Sequence, residues 1–294
     1  MQASEKELMF VIIGSVMVTG CVLAGFVWSG GHIGALIHPA EIVTIGGATI
    51  GAMITMSSKH VLMDLIHGIM GAFKGSPFNK QAYSDLFKLA YELLRVMRRD
   101  GLLALEPHIN NPETSPIFQK YPRIMGNKRI MAFLCDGLTP LIDGGVEVET
   151  VEGFLESELK VMEEEHHLAV GVLQKAADAL PGFGIVAAVL GIVITMGAIN
   201  GPVEEIGHKV GAALVGTFLG ILASYGFMGP LASRMELMGS IEMSYFRTIA
   251  TIIVACAKNG SPKGVVEQAR RGVGTEYRLQ RVQLDAMIQE VEAA

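Results

Sequence analysis

Apolar positions along the chain follow two different periods. Four stretches are apolar on every side, at residues 8–28, 33–56, 181–199 and 210–232. Each is long enough to cross a hydrocarbon core of about 30 Å, which takes roughly 20 helical residues. Between the second and third stretches the apolar residues instead recur at three and four. Val61, Leu62, Leu65, Ile66, Ile69, Met70 and Phe73 form one such set, and Leu86, Phe87, Leu89, Ala90, Leu93, Leu94 and Met97 another. That spacing predicts amphipathic helices packed on one another. The segment LEPHINNPETSPIFQKYPRIM at 105–125 holds four prolines and an Asn pair and predicts an irregular crossing. Helices are predicted again near 128–143 and 150–179. A last one, over 262–291, carries Val265, Val266, Ala269, Val273, Leu284, Met287 and Ile288 on one face. Strand-like alternation is scarce.

These elements describe an all-α integral membrane protein with four transmembrane helices in two hairpins and a large helical cytoplasmic domain. Residues 1–56 form the first hairpin, 57–180 the cytoplasmic helical domain, 181–232 the second hairpin and 233–294 a cytoplasmic helical tail. The positive charges set the orientation. Of 23 Lys and Arg, 13 lie between residues 59 and 175 and eight from Arg234 onward; the 29–32 loop has none, and Lys209 alone falls in the loop between the third and fourth spans. Both short loops therefore face outward, and both termini are cytoplasmic. The polar start at 1–7 carries Glu5 and Glu7 beside Lys6 rather than a basic leader, so the first span reads as retained rather than as a signal peptide.

Composition supports the bilayer: 50% of residues are hydrophobic and 18% charged, against about 25% charged in a soluble domain. A net charge of −6 without a dominant basic block carries no nucleic-acid signature. Cys21, Cys135 and Cys256 share no metal-type spacing. The EEEHH run at 163–167 places two adjacent histidines on different sides of a helix, which reads as a solvated face rather than a metal site. No nucleophile arrangement and no phosphate-cradling glycine loop stands out, so neither an enzyme nor a cofactor is expected.

What the spans lack decides the rest. Their one carboxylate is Glu41, close to the outer edge behind His38 and Pro39. A charge at mid-depth, which would cost about 2.5–3.5 kcal/mol even on insertion scales, does not occur. In its place stand Gly184, Ala187, Ala188, Gly191 and Thr195 in the third span, with Gly211, Gly216, Thr217, Gly220 and Ser224 in the fourth. Small residues at this spacing let helices approach closely. If the chain conducts ions, the titrating carboxylate comes from a partner.

Four motifs in register carry a resemblance: LPGFGIVAAVLGIV at 180–193, VGTFLGILASYGFMGPLA at 215–232, GGHIGALIHPAEIVTIGGATIGA at 30–52 and YPRIM at 121–125. Together they resemble the flagellar stator A-subunit family, MotA, over nearly the whole chain. The resemblance implies a multi-pass protein of the bacterial inner membrane. In that family a pentamer of A subunits surrounds a B-subunit dimer of the MotB type, whose membrane aspartate supplies the missing carboxylate. Ion flow between the subunits then turns the ring and delivers torque to the rotor protein FliG. Spans three and four would line the path, and spans one and two would face lipid.

By the same resemblance Pro181 and Pro230 match the family's two prolines tied to channel function and torque, and Thr217 matches a pore threonine. Pro181 would start the third span, where its missing N–H costs nothing; Pro230 would bend or end the fourth. Ala188 stands where sodium-driven relatives carry threonine, which favours protons, although Thr195 and Thr217 offer oxygens. Arg98, with its neighbour Arg99, and Glu106 match residues that engage the rotor. Glu41 receives no step in conduction and reads as an anchor for the outer end of span two. The rival readings are an energiser of the TolQ or ExbB type, which has three spans and lacks the leading hairpin, and a passive membrane scaffold.

Overall fold

The computed structural model describes residues 2–144, 146–197 and 199–293. Residue 198 of the expected third span and residue 145 of the expected cytoplasmic domain lie outside the described residues. The chain divides into two compact units, Met1–Gly75 with Glu165–Met238, and Ser76–Glu164 with Gly239–Ala294. Among the described residues, four helical stretches are long and apolar enough to cross a membrane.

The first unit holds α1 (Gln2–Trp28), α2 (Pro39–Thr55) and α3 (Lys59–Lys74). Its other helices are the C-terminal part of α8 (Val148–Gly197), then α9 (Val203–Ile221) and the start of α10 (Gly229–Ala257). Leu65 and Ala72 of α3 bury against Ala169, Val172 and Leu173 of α8 and Ala232 and Met235 of α10. At Gly68, where α3 crosses α10, the end of the Met235 side chain fills the space a methyl group would take, with Cε 2.4 Å from that position. Ile45, Leu180 and Ala187 form a second small core.

The second unit is built on α4 (Lys80–Asp100) and α7 (Lys128–Asp143), with α11 (Pro262–Gly272) and α12 (Arg281–Ala293) and the adjoining parts of α8 and α10. Asn79 and Asn127 cap α4 and α7, each side chain accepting two backbone N–H bonds, which satisfies donors that a helix start leaves open. Tyr83, Phe87, Phe133, Tyr245 and Phe246 lie at the centre of its core, with at most 1% of their surface exposed. Between α4 and α7 the chain forms short turns, including α5 (Glu106–Asn110) and α6 (Pro122–Met125), as the four prolines predict.

Several expectations are corrected. Pro181 does not begin a helix; it sits inside α8, which runs unbroken from Val148 to Gly197. Contacts on both sides of Pro181, through buried Ala176, Ala177 and Leu180 before it and Gly184 and Ala187 after it, outweigh the one backbone bond it removes. Pro230 does not end the fourth span either. A π-helical segment, Leu222–Met228, precedes it and α10 continues to Ala257. Lys209 lies within α9, paired with Glu205 at 2.8 Å, rather than in a loop. Span two starts its α-helix at Pro39, after a 3-10 turn over Ile33–Leu36, because a residue before proline is held extended. The tail forms two helices, not one. The adjacent histidines do not diverge: His167 Nδ1 and His166 Nε2 lie 3.3 and 4.0 Å from the Glu236 carboxylate.

Candidate functional site

The small residues of α8 and α9 interlock along one seam. On α8 the buried positions are Gly184, Ala187 and Thr195, with Gly191 half-buried, and on α9 they are Ala213, Gly216 and Gly220, continued by Ser224. Successive members on each helix are three or four residues apart, which is one face. The approach is close enough to exclude side chains. A methyl group at Gly184 would fall 2.9 Å from the Gly216 carbonyl oxygen, and one at Gly220 would fall 2.6 Å from that of Leu180. The opposite side of α8 exposes Ile185, Val189, Ile192, Val193 and Met196, each about half or more accessible. A helix with one small-residue face and one bulky aliphatic face is built to pack on one side and meet lipid or another chain on the other.

The residues expected on the ion path fall as follows. Pro181, Ala188 and Thr195 are seven residues apart and share one stripe of α8; Thr195 is buried and the other two half-buried. The Thr195 hydroxyl donates to the Gly191 carbonyl at 2.8 Å, within its own helix. The Thr217 hydroxyl, half-buried on α9, reaches across the seam toward the Gly184 carbonyl at 3.5 Å. Both oxygens keep lone pairs able to accept. Pro230 is exposed and stands apart from this stripe, at the second position of α10. Ahead of it the Gly229 N–H bonds to Ser224 O, five residues back, and that wider turn leaves room for a ring that would clash in an α-turn.

One contact has no counterpart in the sequence reading. Glu41 of α2 lays its carboxylate on Gly216 of α9: a methyl group at Gly216 would fall 2.8 Å from Glu41 Oε2 and 3.1 Å from Ala187 Cβ. Gly216 is therefore part of the packing seam and also the space Glu41 occupies. Toward the start of α9 an open pocket of about 1020 Å³ is lined by Phe26, His32, His38, Glu204 and His208, among others, and reaches Ala212 and Val215 but not Glu41 or Gly216 themselves. The one signal available in the sequence was the four-residue rhythm of Glu204, His208, Ala212 and Gly216, which places them on one face of α9.

The candidate torque residues lie in the second unit. Arg98 and Arg99 end α4, where a cation complements the helix dipole. They line a groove of about 400 Å³ with Arg95, Lys120 and Glu92. Arg98 is exposed and, among the described residues, has no ion-pair partner. Arg99 holds Asp100 with both its Nε and a terminal nitrogen, at 2.7–3.0 Å. This hydrogen bonding raises the guanidinium pKa and lowers that of Asp100 below the usual carboxylate range. Glu106 is exposed at the start of α5 and lies outside that groove. No group of three or more His, Cys, Asp or Glu suited to a metal ion occurs among the described residues.

Comparison with known proteins gives matches along most of the chain. Residues 12–101 match the family model for the motility protein A N-terminal region, and residues 126–255 that for the MotA/TolQ/ExbB proton channel family. Motility protein A of Salmonella typhimurium is 34% identical over 283 residues, covering 96% of each chain. Chemotaxis protein LafT of Vibrio parahaemolyticus is 34% identical over 280 residues, covering 95% of this chain and 98% of that protein. Among solved structures, the C. jejuni MotAB structure superposes with a TM-score of 0.76 at 21% identity, over 93% of this chain and 99% of that one. The flagellar MotAB stator complex of Bacillus subtilis superposes with a TM-score of 0.70 at 25% identity, over 87% and 92%.

Proposed function

The chain belongs to the motility protein A family, and from that membership we propose that it is the A subunit of a flagellar stator, working with a B-type membrane partner to couple ion flow to rotation. The family is one of ion-channel stator components rather than of enzymes, and the chain is a multi-pass membrane protein. The observation that carries the mechanism is the α8–α9 seam, two apolar helices held at backbone contact with no Asp, Glu, His, Lys or Arg between residues 182 and 199 or 210 and 232. A channel made of this chain alone has no carrier at mid-depth, and a partner carboxylate set against the seam would supply one.

In this reading spans 8–28 and 33–56 and spans 181–199 and 210–232 form two hairpins in the inner membrane. Residues 57–180 and 233–294, with both termini, are cytoplasmic. Five copies surround a B-subunit dimer, Pro181, Ala188, Thr195 and Thr217 border the ion path, and Pro230 couples it to the cytoplasmic part. The transported ion is a proton and no cofactor is needed. Sodium transfer requires several oxygens to replace the hydration shell, whereas the stripe at mid-depth offers Ala188. Supplied with its B subunit to a strain lacking stators, the chain is expected to restore swimming whose speed ignores sodium and collapses on adding a protonophore. Speed that rises with sodium would move the ion choice to the Thr195 and Thr217 oxygens. No restored motility from a well-inserted pair would favour the energiser or scaffold.

Arg98, Arg99 and Glu106 are assigned to the interface with the rotor protein FliG. Exposed charges stabilise a fold little but set register with a partner. Because Arg99 is already committed to Asp100, the two arginines are expected to behave differently. Arg98→Glu should lower torque about tenfold, since a like-charge juxtaposition at an interface costs several kcal/mol, whereas Arg99→Glu should lower it only about twofold. Torque of single tethered motors measures both; equal losses would remove the distinction.

A further inference from the structure

We propose that Glu41 is an ion-relay residue of this chain, receiving the proton from the pocket beside α9 and releasing it at the α8–α9 seam; this rests on the stator reading above. Glu41 is the third residue of α2, where the helix N-terminus complements a negative charge. Its carboxylate does not point away from the protein. It rests on Gly216, the residue before Thr217, whose hydroxyl reaches Gly184 O on α8. Glu41 thus brings a carboxylate to the seam itself, which the chain does not supply between residues 182 and 199 or 210 and 232.

The approach to it runs along α9. Glu204, His208, Ala212 and Gly216 follow one another at four-residue intervals down a single face of α9. His38, the residue capping α2, shares two pockets with Glu204 and His208, of about 560 and 1020 Å³. The charged or titratable groups bordering these pockets are His32 and His38 from the segment before α2, and Glu204, Glu205, His208 and Lys209 from α9; α1 contributes apolar Val22 and Phe26. Lys209 is neutralised by Glu205 at 2.8 Å. Histidines and carboxylates therefore line the two pockets, which reach Ala212 and Val215, and Glu41, which lines neither, stands just beyond them on Gly216. The step balances: the Glu41 carboxylate takes one proton from water on the pocket side and becomes a carboxylate again when it passes that proton to the partner carboxylate set against the seam.

A packing role for Glu41 makes a different prediction, because glutamine fills the same space and does not titrate. The experiment compares wild type, Glu41→Gln, Glu41→Asp and Gly216→Ala, each expressed with the B subunit in cells lacking stators. It reads single-motor speed at fixed load and recovery of the B subunit on the tagged chain. The relay predicts that Glu41→Gln loses speed about tenfold or more, as expected when a positioned proton carrier is removed, while B-subunit recovery stays at the wild-type level. Glu41→Asp should recover a substantial part of the speed. Gly216→Ala, which displaces the carboxylate, should lose speed although Glu41 is intact. Wild-type speed in Glu41→Gln would overturn the relay and leave the stator reading intact; lost B-subunit recovery would overturn it in favour of anchoring. A wild-type pair that drives no protonophore-sensitive rotation would overturn the stator reading and the relay with it.

Discussion

Gly220→Val is expected to abolish swimming and to lower recovery of the B subunit with the tagged chain to background. The reason is that nothing near Gly220 can yield. Even a methyl group there would lie 2.6 Å from Leu180 O, 3.0 Å from Gly184 Cα and 3.2 Å from Gly184 N, and all three are backbone atoms of the facing helix. The obstruction is reciprocal, since a methyl group at Gly184 meets Gly216 O and Thr217 Cα at 2.9 and 3.2 Å. Relief requires α8 and α9 to separate along the whole seam. Separation would break the Thr217 reach to Gly184 and lift Ala187 from Gly216. In a bilayer this loss is not offset by hydrophobic gain, because close packing itself drives helix association; overpacking of this kind typically costs about 1–3 kcal/mol or more. Gly182 provides the control, as a methyl group there meets nothing within 4 Å. Gly182→Ala should swim within about twofold of wild type, in keeping with the small effect of substitutions at open positions. Motile speed and B-subunit recovery in both variants decide the matter, and near-normal swimming of Gly220→Val would sink the claim that the seam is rigid.

The seam was legible in the sequence as a spacing, because glycine and alanine at three and four in two apolar stretches have few uses other than close helix contact. The bounds of α7 were equally legible: Asn127 ahead of an apolar rhythm and Gly144 after it are local signals, and Gly144 takes the positive φ of 77° that glycine tolerates. Proline misled as a helix start at Pro181 and as a helix end at Pro230. At Pro181 one helix of 50 residues runs through the proline, with Leu180 buried on one side and Gly184 and Ala187 on the other, and a local rule carries no information about those contacts. The convergence of His166 and His167 on Glu236, and of Glu41 on Gly216, joins residues about 70 and 175 positions apart. Periodicity places residues on faces, but which faces meet is set by tertiary packing. The charges at 98, 99 and 106 were visible, whereas the pairing that separates Arg99 from Arg98 depended on one neighbouring rotamer.

Pro230→Ala is expected to cut torque about tenfold while leaving the amount of inserted protein and its B subunit unchanged, because what it removes is the cause of a wide turn rather than a packing contact. A proline in an α-turn lacks a donor, and its ring meets the carbonyl four residues back. The chain avoids that clash by opening Leu222–Met228 into a π-segment, with Gly229 N–H bonded to Ser224 O. Such a segment is in effect one residue added to the helix, and one residue is a rotation of about 100°. The first turns of α10 are set by that rotation. Arg234 donates to Ala72 O at 2.7 Å, and Met235 fills the space over Gly68. Alanine at 230 supplies the missing N–H and no ring, so the turn can close into α-geometry and the two arrangements compete. A helix that can switch register under load transmits less of its motion to the residues beyond it, which is why torque should fall before stability does. Hydrogen exchange across 224–232 provides the structural readout, with the amides of this segment expected to change protection in the variant. Torque at the wild-type level together with an altered exchange pattern would show that the wide turn is dispensable, and unchanged exchange with lost torque would assign the effect of Pro230 to its exposed ring instead.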